Sequence, residues 1–201
     1  MIHRFYTLWS PVYDWCAGPL FVEFRKKAIG LLDLKDGQRL LIPGVGTGLD
    51  FEYLPRGVET VGSDLNETML GRARKRAEDL EFSVKLETAD AQALPYPDAS
   101  FDAAYLPCIV CVAPRGNRVL SEALRAVKPG GRVVVVDKFL GEGQKSGLAR
   151  AAAELILGKI VSHVNRRWSE VREGVSGFEV LEEAAGPLGG FFRLYALRKS
   201  K

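Results

Sequence analysis

Three glycines at alternate positions, Gly44, Gly46 and Gly48, are the residues of this sequence whose spacing most directly indicates ligand binding. They follow a short apolar run at residues 39–42, and Asp64 lies 20 positions after the first of them. Glycine lets a backbone turn tightly and approach a ligand without a Cβ clash. A carboxylate at the end of the next strand can accept hydrogen bonds from both hydroxyls of a ribose. The spacing therefore predicts a nucleotide-binding loop.

The same loop geometry serves two cofactors, NAD and S-adenosyl-L-methionine (SAM). The dinucleotide fingerprint has its third glycine one position later, where this chain carries Leu49. SAM has no pyrophosphate and needs contacts to adenosine and to a zwitterionic amino-acid tail. The shorter glycine spacing therefore favours SAM, with an NAD-type or non-catalytic nucleotide-binding module as the alternative.

The elements that must position this loop alternate between apolar runs and helical patterns. Such alternation predicts an α/β fold with a doubly wound, mostly parallel sheet and helices on both faces. Two late strands are expected to close an antiparallel edge. The predicted strands are residues 39–42, 58–63, 82–87, 101–106, 132–137, 178–183 and 191–198. The predicted helices are residues 22–32, a helix beginning after Gly48, 66–80, 117–127 and 148–164.

Four short motifs between about residues 39 and 137, in order, resemble those of class I SAM-dependent methyltransferases of the type 11 and ubiquinone/menaquinone kind. This resemblance implies a Rossmann-like fold, SAM as the cofactor and methyl transfer as the activity. The motifs are Gly44-Val45-Gly46-Thr47-Gly48-Leu49 with Gly62-Ser63-Asp64, residues 89–95, residues 97–102 and Lys128-Pro129-Gly130-Gly131.

The resemblance also implies roles for single residues. The glycine loop would line the methionine tail, Asp64 would hold the ribose, and Asp90 would accept from the adenine amino group. Leu106 and Pro107, just past the fourth strand, would face the sulfonium and the acceptor, and Cys108 is expected near the same pocket. The expected cofactor-binding residues are Gly44, Val45, Gly46, Thr47, Gly48, Asp64, Leu65, Asp90, Ala91 and Leu106.

The chain departs from this family at one position. Members usually carry Asp or Glu two residues before the first glycine, where it orients the SAM amino group, and this chain has Ile42. The departure predicts weakened or rerouted binding of the amino-acid tail.

The acceptor is indicated by an N-terminal aromatic arm. Its Tyr-Asp pair resembles the start of the quinone C-methyltransferases and of bacterial phosphatidylethanolamine N-methyltransferases. We expect Tyr6 and Trp9 to belong to a lid that excludes water, with Tyr13 nearest the transferring methyl group. Arg166 and Arg167 either pair with a lipid phosphate or form a solvated helix cap. The predicted acceptor is small or lipid-like, either a phospholipid amine or a quinone-type ring.

Two cysteines, Cys108 and Cys111, follow the fourth strand and could indicate a metal site. With Cys16 as a third thiol, they could instead indicate a methyltransferase that acts on thiol-bound trivalent arsenic. Without further nearby Cys or His ligands they cannot complete a zinc site, so we interpret them as apolar fillers and expect no metal. Asp98 and Asp102 are expected to be structural, at a turn and at a strand start.

The composition limits the remaining classes of function. The chain has 201 residues, 47% of them hydrophobic, and a formal net charge of +3, so no nucleic-acid partner is expected. The odd cysteine count and the lack of a signal-like segment predict a cytoplasmic location, with contact to a membrane surface left open. We expect an N-terminal lid and helix at residues 1–36, a SAM-binding core at 37–140, and a helix with sheet-closing strands at 141–201.

Overall fold

A computed structural model describes residues 21–141 and 165–201 and contains one seven-stranded sheet. The strand order is β3-β2-β1-β4-β5-β7-β6; β1 to β5 run parallel, and β7 pairs antiparallel with both β5 and β6. The predicted fold class, a mostly parallel sheet with an antiparallel edge, is therefore confirmed. The strands are β1 Arg39–Pro43, β2 Glu59–Asp64, β3 Val84–Thr88, β4 Phe101–Pro107, β5 Val127–Asp137, β6 Phe178–Ala185 and β7 Arg193–Lys199. The helices are α1 Val22–Gly30, α2 Glu67–Asp79, α3 Gly116–Ala126, α4 Trp168–Arg172 and α5 Pro187–Gly190, with a 3-10 turn at Phe51–Tyr53.

The central strands are apolar because both faces of the sheet are covered. Successive residues of β1 point to opposite faces, so Leu41 enters one hydrophobic cluster while Leu40 and Ile42 enter the other. In β5, the valines from Val133 to Val136 are all at most 5% exposed. Such two-sided burial explains the β-branched run seen in the sequence.

Helix α2 begins where the sequence predicts. The Asn66 side chain accepts hydrogen bonds from the backbone N–H groups of Thr68 and Met69, at 3.0 and 3.4 Å. Its buried face consists of Met69, Leu70, Ala73 and Ala77, as the helical spacing indicates.

The prediction of a helix directly after Gly48 is wrong. The structure has only the 3-10 turn at Phe51–Tyr53 before the chain enters β2. Leu54 is extended, with φ −77° and ψ 141°, and it precedes Pro55. A residue before proline is sterically disfavoured in the helical region, so the turn cannot propagate.

The order of the sheet locates the site. Chain connections leave β1 in one direction, to β2 and β3, and continue on its other side with β4 and β5. In parallel sheets this reversal opens a crevice at the carboxyl ends of the central strands. The glycine loop after β1, Asp64 at the end of β2 and Pro107 at the end of β4 all lie at that edge. The predicted helix at residues 148–164 lies outside the described residues.

None of the helices within residues 21–141 and 165–201 combines the length and the apolar character that crossing a membrane requires.

Candidate functional site

The three loop glycines share a left-handed backbone but differ in what surrounds them. Gly44, Gly46 and Gly48 have φ values of +70°, +58° and +75°, which L side chains rarely adopt. A Cβ on Gly44 would lie 2.7 Å from the Ile109 side chain, and one on Gly48 would overlap the Phe51 ring. Among the described residues, a Cβ on Gly46 would meet nothing within 4 Å. The first and third glycines thus permit tight packing, whereas the middle one opens toward space that a ligand can enter.

Asp64 ties this loop to the end of β2. Its Oδ2 accepts from the Gly46 N–H at 3.0 Å, and its Oδ1 accepts from the Asn66 N–H at 2.9 Å. The Val45 N–H donates to the Ser63 carbonyl at 2.9 Å and holds the same two segments together. These bonds hold the Asp64 carboxylate at the end of β2, beside the glycine loop.

The predicted adenine-binding segment lies beside Asp64. The Ala89 N–H donates to the Asp64 carbonyl at 3.3 Å, which brings the turn after β3 to the same edge. The Asp90 carboxylate accepts from the Gln92 N–H at 2.8 Å and is partly exposed, while Ala91 is buried. Leu65 is 50% exposed, an unusual exposure for a leucine beside a polar crevice. An exposed apolar side chain next to Asp64 offers a surface on which a planar base could pack.

An ion pair on α3, which was not among the predicted site residues, holds this adenine segment in place. Glu122 Oε2 accepts from the Leu94 N–H at 2.8 Å, and Arg125 donates to the carbonyls of Leu94 and Tyr96 at 3.0 and 2.8 Å. Arg125 also hydrogen-bonds Glu122 at 2.9 Å, and this bond lowers the pKa of the Glu122 carboxyl despite partial burial. The spacing of three on a predicted helix was the only sequence signal for the pair.

The other side of the crevice is formed where β4 ends. Leu106 is completely buried, so it presents no surface to the crevice, and its predicted contact with the cofactor stays a prediction. Pro107 and Cys108 are partly exposed, and Cys108 has φ +55° with its N–H donating to the Val136 carbonyl at 2.7 Å. The chain therefore turns sharply after Leu106 and leaves Pro107 and Cys108 at the edge of the crevice.

Arg166 braces the loop that follows this turn. Its guanidinium donates to the carbonyls of Val110, Ala113 and Pro114, at 2.6, 2.9 and 3.1 Å. Arg167 donates to the Gly141 carbonyl at 2.6 Å. Both side chains thus have backbone partners, an arrangement that neither the lipid-phosphate nor the solvated-cap interpretation anticipated. Their contact with an acceptor stays a prediction.

Cys111 is fully buried, and its N–H donates to Asp137 Oδ2 at 2.8 Å. Burial raises the pKa of its thiol well above the ordinary value, as expected of an apolar filler. Within the described part of the chain, no group of three or more His, Cys, Asp or Glu could hold a metal ion.

Asp102 and Asp98 are structural: Asp102 accepts from the Arg39 N–H and Lys128, at 2.9 and 2.7 Å, and Asp98 pairs with Arg125 at 2.6 Å.

A second group absent from the predicted site is a buried acid beneath the glycine loop. Asp50 is 8% exposed; its Oδ1 lies 3.4 Å from the Tyr105 hydroxyl and 3.5 Å from Nε of Arg25. The three residues come from α1, the loop and β4, so no local pattern connects them.

The described residues do not include the predicted lid residues Tyr6, Trp9 and Tyr13, nor Cys16.

Comparison with known proteins agrees with this geometry. A family model described as "Methyltransferase domain" matches residues 41–135. The chain is 32% identical over 196 residues to the phosphatidylethanolamine N-methyltransferase of Cereibacter sphaeroides, covering 95% of this chain and 94% of that protein. It is 35% identical over 119 residues to the demethylmenaquinone methyltransferase of Thermus thermophilus, covering 58% of this chain and 54% of that protein. Among solved structures, the cyclase SpnF superposes with a TM-score of 0.78 at 19% identity, covering 99% of this chain and 95% of that chain.

Proposed function

Because the chain belongs to the SAM-dependent methyltransferase family, we propose that it transfers a methyl group from SAM to the amine of a phospholipid-like acceptor. The observation that carries the choice of acceptor is the extent of similarity. The similarity to a phosphatidylethanolamine N-methyltransferase runs over 95% of this chain, so it extends beyond the nucleotide-binding core into the segments on both sides of it. These segments flank the nucleotide-binding core, and acceptor specificity resides in such peripheral segments rather than in the shared fold.

The residues at the crevice fit SAM. Gly46 leaves open space in a left-handed backbone, Asp64 presents a carboxylate held by two N–H groups, and Asp90 with Leu65 offers an acceptor and an apolar surface. They would hold the methionine tail, the ribose and the adenine respectively. When bound, SAM supplies a methyl group activated by a sulfonium. The shorter glycine spacing and the family membership argue against the NAD alternative.

The protein's contribution to such a transfer is mainly alignment and exclusion of water. An amine must be unprotonated to attack, so the site must present the acceptor nitrogen in line with the transferred methyl group. Pro107 and Cys108, at the end of β4, border the place where the two reactants would meet. Tyr13 remains our candidate for the residue nearest the methyl group.

A second acceptor is favoured by a separate observation. The demethylmenaquinone methyltransferase is slightly more identical, at 35%, but over only 58% of this chain. That match supports a quinone-type ring carbon as the alternative acceptor.

The test is a transfer assay with isotope-labelled methyl SAM. We expect label in phosphatidylethanolamine presented in vesicles, and none in phosphatidylcholine, whose nitrogen is already fully methylated. Asp64→Asn should abolish most of the transfer, and Glu59→Gln, which removes an exposed acid at the opposite end of the same strand, should not. Label in demethylmenaquinone instead would select the ring-carbon acceptor.

Calorimetric titration with SAM, S-adenosylhomocysteine and NAD tests the cofactor separately. We expect binding of the first two. Binding of NAD alone would overturn the cofactor assignment.

A further inference from the structure

The position that lacks the customary acid has a specific neighbour in the sheet. Ile42 is 1% exposed on β1 and packs into the hydrophobic cluster that also contains Tyr105. The register that pairs Leu40 with Ala103 and Leu41 with Ala104 brings Ile42 level with Tyr105 on the same face. A carboxylate at position 42 would therefore lie beside the Tyr105 side chain.

A carboxylate is present there nevertheless, delivered from another element. Asp50, two residues after the last loop glycine, reaches the Tyr105 hydroxyl at 3.4 Å. The side chains of Arg25 and Asp50 are only 12% and 11% exposed. The buried acid and the apolar Ile42 thus occupy adjacent places under one loop.

We propose that Asp50 takes the place of the carboxylate absent at position 42 and accepts hydrogen bonds from the ammonium group of the methionine tail. The proposal rests on SAM binding at the glycine loop, as proposed above. Both contacts that fix Asp50, from Tyr105 and from Arg25, are made to Oδ1, so Oδ2 is the oxygen assigned to the ammonium. The 3-10 turn at Phe51–Tyr53 begins directly after Asp50 and holds its backbone at the base of the loop.

Arg25 is the positioning residue whose charge favours the ionised form of this acid. Burial raises the pKa of Asp50, and Arg25, the Tyr105 hydroxyl and Arg76 oppose that rise, while Glu52 adds to it. Tyr53, on the same turn, also interacts electrostatically with Asp50. The charges of Arg25 and Arg76 thus favour the form of Asp50 that can receive a cation.

Two ligands that differ only in the tail test this assignment. S-adenosylhomocysteine carries the amino-acid tail, and methylthioadenosine keeps the adenine and ribose without it. In calorimetric titrations, Asp50→Asn should weaken S-adenosylhomocysteine by about tenfold or more, the size expected for a charged hydrogen bond, and leave methylthioadenosine unchanged. Glu59→Gln, the surface control, should change neither affinity.

A compensating variant sharpens the test. Adding Ile42→Glu to Asp50→Asn should restore most of the lost affinity for S-adenosylhomocysteine, because a carboxylate then lies beside Tyr105 again. If Asp50→Asn does not fold because Arg25 loses this ion pair, Arg25→Met with Asp50→Asn removes both members of the pair and supports the same comparison. An unchanged ratio of the two affinities in a folded variant lacking Asp50 overturns the proposal.

Arg25→Met alone has its own readout. The pKa of Asp50 should rise further, so the preference for S-adenosylhomocysteine over methylthioadenosine should weaken as the pH falls and recover as the pH rises. A preference that does not depend on pH would remove Arg25 from this role. If the wild type binds neither ligand, the proposed cofactor fails; if it binds both and Asp50→Asn weakens both equally, only the role of Asp50 fails.

Discussion

At the scale of single residues, the loop shows that glycines in one motif perform different tasks. Gly44 and Gly48 make room for Ile109 and Phe51, so substitutions there would disturb packing. Gly46 has no described neighbour where a Cβ would lie. A side chain there would instead be disfavoured by the left-handed backbone and would occupy the space proposed for the ligand. The distinction can be tested because stability and affinity should respond differently.

We predict that Gly46→Val abolishes measurable S-adenosylhomocysteine binding and lowers the free energy of unfolding by about 1–2 kcal/mol, since a β-branched residue must adopt φ +58°. The measurements are calorimetric titration and denaturant unfolding. Gly71→Ala is the matched control, because Gly71 lies in α2 and a Cβ added there would meet no atom of the described residues within 4 Å. It should raise stability by roughly 0.5–1 kcal/mol and keep the affinity. Retained affinity in Gly46→Val would remove Gly46 from the cofactor site.

At the scale of elements, two arginines hold the loops that border the crevice. Arg125 on α3 fixes the segment around Leu94 and Tyr96, on the side predicted to bind adenine. Arg166 fixes the loop after β4, on the side where the acceptor is expected. In these loops, the carbonyl groups accept hydrogen bonds from an arginine side chain rather than from the backbone of a helix or strand. Without such donors the carbonyls would remain unsatisfied on burial.

We predict that Arg166→Met loosens the loop after β4 while leaving cofactor binding nearly intact. Loss of three hydrogen bonds from a charged donor should lower the free energy of unfolding by about 1–3 kcal/mol. The KM for the acceptor should rise, and S-adenosylhomocysteine affinity should change less than threefold, roughly the scatter expected for an indirect effect. Lys75→Met, on the exposed face of α2, is the control. An unchanged KM would separate this loop from acceptor binding.

At the scale of the whole molecule, carboxylates in hydrogen-bonded pairs connect separate elements. Hydrogen bonds from Arg125 lower the pKa of Glu122, and hydrogen bonds from Lys85 on the same strand and from the Tyr96 hydroxyl in the adjoining loop do the same for Glu87. For Asp102, burial acts in the opposite direction, but the bonds from Lys128 and the Arg39 N–H outweigh it and lower the pKa. These groups link α3 to the adenine segment and β1 to β4 and β5.

The sign of the pH dependence follows from these shifts. A carboxyl whose folded pKa is below its unfolded value of 4.5 for Glu contributes stability that is fully present above that value and lost as pH falls through the folded pKa. We therefore predict that stability declines below pH 4.5 and that Glu122→Gln makes this decline shallower. Urea unfolding across acidic pH measures both. A decline of equal slope in wild type and variant would exclude Glu122 from the linkage.

A surface prediction concerns the N-terminal arm. We predict that the protein sediments with vesicles containing anionic lipid and phosphatidylethanolamine, and that Trp9→Ser reduces the bound fraction severalfold, because indole favours the membrane interface. Leu181→Ala, which removes an apolar side chain that is 37% exposed on β6, is the control. Failure of wild-type protein to sediment with any vesicle would contradict interfacial binding.

The sequence by itself determined the sequential order of strands and helices, the glycine loop and the acids that follow β2 and β3. These features are encoded locally: an apolar run followed by glycines forms a strand and a tight turn wherever it occurs, and Asn66 caps α2 through its immediate neighbours. One local feature was predicted wrongly: a helix was expected after Gly48, but Pro55 disfavours a helical conformation of Leu54, and only a single 3-10 turn forms.

Only the tertiary structure decided which polar groups meet. Arg25, Asp50 and Tyr105 are far apart in the chain and become neighbours because β1 lies between β2 and β4 while α1 packs beside the loop. Arg166 likewise finds its carbonyl partners about 50 residues earlier in the chain. Such pairings depend on the register and order of the strands, which no local pattern specifies. These contacts also change the interpretation of Ile42. The sequence indicates only that an acid is missing at position 42, whereas the tertiary structure supports the proposal that Asp50 supplies that acid.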